Sequence, residues 1–189
     1  MFDQAKIQKA ITAIIEAIGE DPERESLAGT PERVAEMYLE LFAGMGKDPS
    51  EELSVGFELG HREMVILRDI PFYSMCEHHL LPFYGVAHIG YIPNNEGRIV
   101  GISKLARVVE IVAKRPQLQE RMTTEIAEAI ITGIKPAGVA VVIQAEHMCM
   151  IMRGIKKPGS NVITSAIRGA FSRHAASRAE FFSLIQGNK

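Results

Sequence analysis

Near the amino terminus apolar residues recur every three or four positions, at Ile7, Ile11, Ile14, Ile15 and Ile18, and Gly19 follows. That period, closed by a glycine stop, predicts a helix over residues 3–18. Glu20 to Gly29 is polar and turn-rich. Thr30-Pro31 then offers an N-cap and a first-turn proline for a second helix, with Val34, Met37, Tyr38, Leu41 and Phe42 as its stripe and Gly44 and Gly46 at its end. Two helices with one apolar face each do not stand alone, so this N-terminal helical arm, residues 1–50, is expected to dock on the remaining chain or on a neighbouring subunit.

Beyond residue 62 the texture becomes strand-like: Met64–Ile70, Gly85–Ile92 and Arg98–Ile102, with Asn94-Asn95-Glu96-Gly97 expected as the hairpin turn between the last two. Helical spacing returns at Ser103, the expected N-cap, with Leu105, Val108, Val109 and Val112 on the inner face. Pro116 breaks it, and a further helix over 117–132 closes at Gly133 and Pro136. Gly138–Met152, rich in Val, Ile and Met, reads as a long buried strand. Val162–Ile167 is its expected hairpin partner across Lys156-Lys157-Pro158-Gly159, and a short helix near Ser177–Ile185 ends the chain. This order predicts an α+β protein, with residues 51–189 as its main domain.

A length of 189 residues fits one domain with an appended arm. Lys and Arg total 21 against 23 Asp and Glu, a net charge of −2, so no basic field directs the chain to nucleic acid or an anionic membrane. An anionic ligand must be met locally. With 47% hydrophobic and 23% charged residues the chain has the composition of a folded protein, not a disordered one. No run approaches the ~18 apolar residues of a membrane span. The segment Met1–Lys6 does not begin a secretory signal, so a soluble, cytoplasmic protein is expected. In a reducing compartment the two cysteines, Cys76 and Cys149, are better read as buried thiols or metal ligands than as a disulfide.

Both cysteines have histidine neighbours, in Cys76-Glu77-His78-His79 and His147-Met148-Cys149. Strand residues two apart point to one side, so His147 and Cys149 are expected to project together from the strand end. Cys76 and His79 can converge around a tight turn. Cys76, His79 and Cys149 would give zinc three soft or borderline ligands and leave one place for water, the mark of a catalytic site. His78 and His147 would then be free for proton transfer. The plainer readings are inert buried thiols, or a closed structural zinc using Cys76, His78 or His79, His147 and Cys149.

At Gly101-Ile102-Ser103-Lys104 a strand runs into a helix start, where free backbone N–H groups attract anions. Arg107 follows one turn later, and Arg153 lies just beyond Cys149. A polyphosphate could be clamped there, or Ser103 and Lys104 could only cap the helix while the arginines are solvated surface charge. Glu120, next to Gln119, could complement the dipole of the next helix or accept the Watson–Crick N–H groups of guanine.

Taken together, Ser74-Met75-Cys76-Glu77-His78-His79, Gly101-Ile102-Ser103-Lys104-Leu105-Ala106-Arg107, Arg115-Pro116-Gln117-Leu118-Gln119-Glu120-Arg121 and His147-Met148-Cys149 with Arg153-Gly154 resemble the GTP cyclohydrolase I family. The resemblance covers Met64 to Ile185, with a looser echo at Thr30–Ala35. It implies zinc on Cys76, His79 and Cys149; His78 and His147 as an acid/base pair; phosphate contacts at Ser103, Lys104, Arg107 and Arg153; and guanine contacts at Gln119 and Glu120. It further implies a tunnelling fold, an antiparallel sheet with a helix pair on one face, assembled as a homodecamer with active sites between subunits. The implied reaction opens the imidazole ring of GTP, releases formate and forms 7,8-dihydroneopterin triphosphate. The alternatives are another tunnelling-fold pterin enzyme and a structural-zinc protein that binds a nucleotide as a regulator. A zinc deaminase is disfavoured because the His-x-Glu and Pro-Cys-x-x-Cys pattern is missing.

Overall fold

The computed structural model describes residues 2–186. The chain divides into two compact units, Met1–Ala43 and Gly44–Lys189. In the first, α1 (Gln4–Ala17) and α2 (Thr30–Leu41) pack together, with Ile15 and Ala35 buried. Asp3 caps α1 by accepting the Lys6 N–H at 2.9 Å. Thr30 is not the cap expected of it: Gly29 holds that position, and the Thr30 hydroxyl accepts from Arg33 at 3.0 Å instead.

The division falls earlier than residue 50 because Gly44–Leu53 is bonded into the second unit. The Gly44 N–H donates to the Lys114 carbonyl at 3.0 Å, and Arg115 donates to the carbonyls of Gly44 and Lys47 at 3.0 and 2.6 Å. A 3-10 turn at Pro49–Leu53 then buries Leu53 completely.

The second unit continues with β1 (Gly56–Glu58), β2 (Val65–Cys76), β3 (Pro82–Ile92), β4 (Arg98–Val100), α3 (Ile102–Ala113), β5 (Pro116–Gln117) and α4 (Gln119–Ile134). After these come β6 (Gly138–His147), α5 (Met148–Ile151), β7 (Val162–Gly169), α6 (Ala170–Arg173) and α7 (Ala175–Gln186). Its main sheet has the order β5-β2-β3-β6-β7, antiparallel except for the short β5, which runs parallel to the end of β2. Helices α3 and α4 close one face over a core that includes Phe72, Phe83, Leu105, Met122, Ile126 and Ile143. On the other face Phe171 and Phe181, from α6 and α7, meet Ala140 and Val142. Every residue of β6 from Gly138 to Ile143 is buried, as its unbroken apolar run requires. The α+β class is as expected.

Two expectations about strands fail. Asn94–Gly97 does join β3 to β4, but β4 pairs with β1 in a separate two-stranded sheet, so no hairpin forms there. The strand expected to reach Met152 stops at His147, where the backbone turns into α5. Among the described residues no helix is long and apolar enough to cross a membrane.

Candidate active site

Cys76 ends β2 and His79 sits in the turn to β3. The N–H groups of His79 and Leu80 both donate to the Cys76 carbonyl, at 3.3 and 2.8 Å, and Leu80 adopts φ 50° to close the turn. The strand β5 braces it: the Glu77 N–H donates to the Gln117 carbonyl at 3.1 Å, and the Glu77 carboxylate pairs with Arg121. Gln117 is buried. Its amide nitrogen donates to the Val112 carbonyl and to Glu125, at 3.1 and 2.9 Å, and its side-chain oxygen accepts from Arg121 at 3.0 Å. Glu77 thus serves the shape of the turn.

From the other side, α5 brings in Cys149. The ligand atoms of Cys76, His79 and Cys149 all lie within 4.8 Å of one another. Burial, and then the neighbouring Cys76, push the Cys149 thiol up. Two sulfurs and an imidazole crowded together are stabilised as thiolates only by a cation, and this donor set suits zinc.

His147 and Cys149 do not project together as a strand would make them, because the helical turn begins at Met148. Cys149 joins the sulfur cluster. His147 instead stacks on Phe83, its partner in the β3–β6 register, with centroids 4.6 Å apart and an interplanar angle of 3°. Its Nε2 lies 2.7 Å from the Gln119 side-chain oxygen. Burial pushes the His147 pKa down, and the Glu120 carboxylate pulls it partly back. His78 is exposed in the ligand turn, with its ring edge toward His79 at 6.2 Å.

Gln119, expected at a base edge, has its side chain turned into the protein. Its side chain is 1% exposed, and its amide nitrogen donates to the Ile143 and Val162 carbonyls and to Thr164 Oγ1 at 3.1, 2.9 and 3.1 Å. Both ends of the amide are engaged within the protein. The adjacent Glu120 is exposed.

The anion-binding candidates form a second cluster. Ser103 is exposed at the second position of α3 and does not cap it, since the N-cap is Gly101. Lys104 and Arg107 share one helical face, as their spacing predicts, and both reach Glu52, at 3.3 and 3.5 Å. The hydrogen bond from Lys104, then the charges of Lys104 and Arg107, hold the Glu52 carboxyl below its usual range. Arg153 donates to His79 Nε2 at 2.8 Å. Sequence reasoning missed Glu52, Phe83, Thr123 and Thr164. Glu52 and the two threonines carry no periodic signal, while Phe83 could have been found from its place on the strand leaving the ligand turn.

The model of the GTP cyclohydrolase I family matches residues 7–186. GTP cyclohydrolase 1 of Dehalococcoides mccartyi is 72% identical over 186 residues, covering 98% of each chain. That of Pelotomaculum thermopropionicum is 63% identical over 187 residues, covering 99% of each. Among solved structures, an archaeosine synthase QueF-Like in the apo form aligns with a TM-score of 0.46 at 20% identity, over 56% of this chain and 93% of that one. These matches span the cysteine turn, the α3 start and the β6–α5 junction, and the chain belongs to the GTP cyclohydrolase I family.

Proposed function

We propose that this chain, with zinc as cofactor, converts GTP to 7,8-dihydroneopterin triphosphate and formate, the entry step toward tetrahydrofolate or other pterins. One observation carries the proposal: Cys76, His79 and Cys149 arrive from a strand end, a turn and a helix to within 4.8 Å, in a chain 72% identical to a GTP cyclohydrolase 1. Bound there, zinc supplies Lewis acidity and lowers the pKa of a water toward ~7.

The chain's own residues orient the substrate and move protons. Glu120, exposed at the α4 start, accepts the two N–H groups of the guanine Watson–Crick edge. Ser103, Lys104, Arg107 and Arg153 take the triphosphate, for which Glu52 must release Lys104 and Arg107 and Arg153 must leave His79. Held at both ends, the purine presents C8 to water, and orientation of this kind accounts for much of the rate. His78 and His147 are the acid/base pair: a proton to N7 assists addition of water at C8, the C8–N9 bond breaks with a proton passing to N9, and a second water breaks C8–N7 and frees C8 as formate. Rearrangement of the ribose and closure onto the pyrimidine amine complete the product.

The same reading places the second unit in the tunnelling fold and the protein in the cytoplasm, as a homodecamer with sites between subunits. Purified zinc-loaded protein incubated with GTP is expected to release one formate per GTP consumed and to give a fluorescent pterin after oxidation. GTP binding without formate would replace the enzyme with a nucleotide-binding regulator.

A further inference from the structure

We infer that Gln119 is a positioning residue that fixes the tautomer of His147, placing its hydrogen on Nε2 and leaving the lone pair on Nδ1. The inference rests on the acid/base role proposed for His147.

The orientation of the Gln119 amide follows from its neighbours, not from a choice between two similar atoms. One end of the amide lies 3.1 Å from the Ile143 carbonyl oxygen and 2.9 Å from that of Val162. Carbonyl oxygens only accept, so the NH2 group must occupy that end; a flipped amide would set oxygen against oxygen twice. The hydroxyls agree. Thr123 spends its hydrogen on the Gln119 backbone carbonyl at 2.7 Å, so in the 2.6 Å contact between Thr123 and Thr164 the donor is Thr164. The Thr164 oxygen, 3.1 Å from the amide nitrogen, shares one of that nitrogen's two hydrogens with a carbonyl. The amide oxygen is left facing His147 Nε2 at 2.7 Å, a distance at which the ring nitrogen must donate.

A neutral imidazole has one N–H, and here it is on Nε2. The Gln119 oxygen accepts that hydrogen, which keeps the ring from flipping. Phe83, stacked at 4.6 Å with its ring nearly parallel, holds the plane of the imidazole. The anchoring carbonyls belong to β6 and β7, so the tautomer is set by the sheet. A side chain whose polar atoms are all engaged in this way contributes to the rate through His147 and not through the purine.

The test is magic-angle-spinning NMR of the full zinc-loaded protein labelled with 15N-histidine, with His147 assigned by comparison with His147→Gln. At a pH where the ring is neutral, Nε2 is expected to give the pyrrole-type resonance with an attached hydrogen, and Nδ1 the pyridine-type one. The reverse pattern in the wild-type protein overturns the inference, whatever the activity. Gln119→Met is then expected to mix the two tautomers and lower kcat about ten- to a hundredfold with KM for GTP nearly unchanged. If Gln119→Met does not fold, the wild-type resonance pattern decides the tautomer on its own. A raised KM with the tautomer and kcat intact would mean that Gln119 contacts the base instead. Should the wild-type protein release no formate, the proposed reaction fails, while the resonance pattern still decides the tautomer.

Discussion

His88 makes stability depend on pH in a way that can be worked out from its surroundings. It lies on β3 opposite Val142, 6% exposed, where β2 bulges: the register passes from Leu67↔Ile89 directly to Ile70↔Ala87. Asp69, in the bulge with φ 58°, donates its N–H to His88 Nδ1 at 3.1 Å, so Nδ1 must be unprotonated in the folded protein. Burial pushes the His88 pKa down. The Asp69 carboxylate, 3.9 Å away, pulls it up, and Arg68 pushes it down again. Between the unfolded value near 6.5 and the lower folded value, only the unfolded chain binds the proton. Stability is therefore fully present above about pH 6.5 and falls as pH drops toward the folded pKa, by at most about 1.4 kcal/mol per pH unit, and levels off below it. Replacement by Asn keeps an acceptor for the Asp69 N–H and removes the titration. His88→Asn should be less stable near neutral pH by roughly 1–2 kcal/mol, for the smaller side chain. The gap should narrow as pH is lowered through the window. Urea unfolding at fixed protein concentration across that window measures it. Parallel pH profiles for the two proteins, or a wild type that gains stability in acid, would refute the reasoning; His147 is shifted the same way but is common to both proteins and cancels.

Cys149→Ala should lose bound zinc and turnover while keeping the far-UV circular dichroism of the parent, and a collapse of that spectrum would make the site structural. Glu120→Ala removes a carboxylate proposed to accept two N–H bonds, worth about 1.5–3 kcal/mol, so kcat/KM for GTP should fall roughly 10- to 150-fold with weaker discrimination against other purine triphosphates. Unchanged guanine selectivity would remove Glu120 from the base site. Glu52→Gln frees Lys104 and Arg107 from their internal partner, so KM for GTP should drop roughly two- to fivefold, and added salt should narrow the difference.

Where one face of an element is buried, its sequence was readable. The stripe of α3 and the unbroken run of β6 answer to burial alone, and the structure follows them closely. The end of β6 was not readable, since Met148 to Met152 is apolar and fits either a strand or a helical turn; the wrong choice misplaced Cys149 relative to His147. The spacing of β4 makes it a hairpin partner for β3, because its real partner, β1, is three residues long and has no pattern of its own. At the site, Cys76, His79 and Cys149 were legible because few residue types bind a metal and these fall near turns. The setting of His147 was not. Gln119, Thr123 and Thr164 meet only because α4 packs beside β6 and β7, a contact between positions 41 and 45 residues apart. Glu52 escaped for the same reason, lying 52 residues before Lys104.

The proposed chemistry requires a zinc ion held by three protein atoms. X-ray absorption at the zinc edge of the fully loaded protein is expected to show two sulfurs near ~2.3 Å and one nitrogen near ~2.0 Å, with a lone oxygen completing the shell. A second imidazole in place of that oxygen, from His78 or His147, would contradict it.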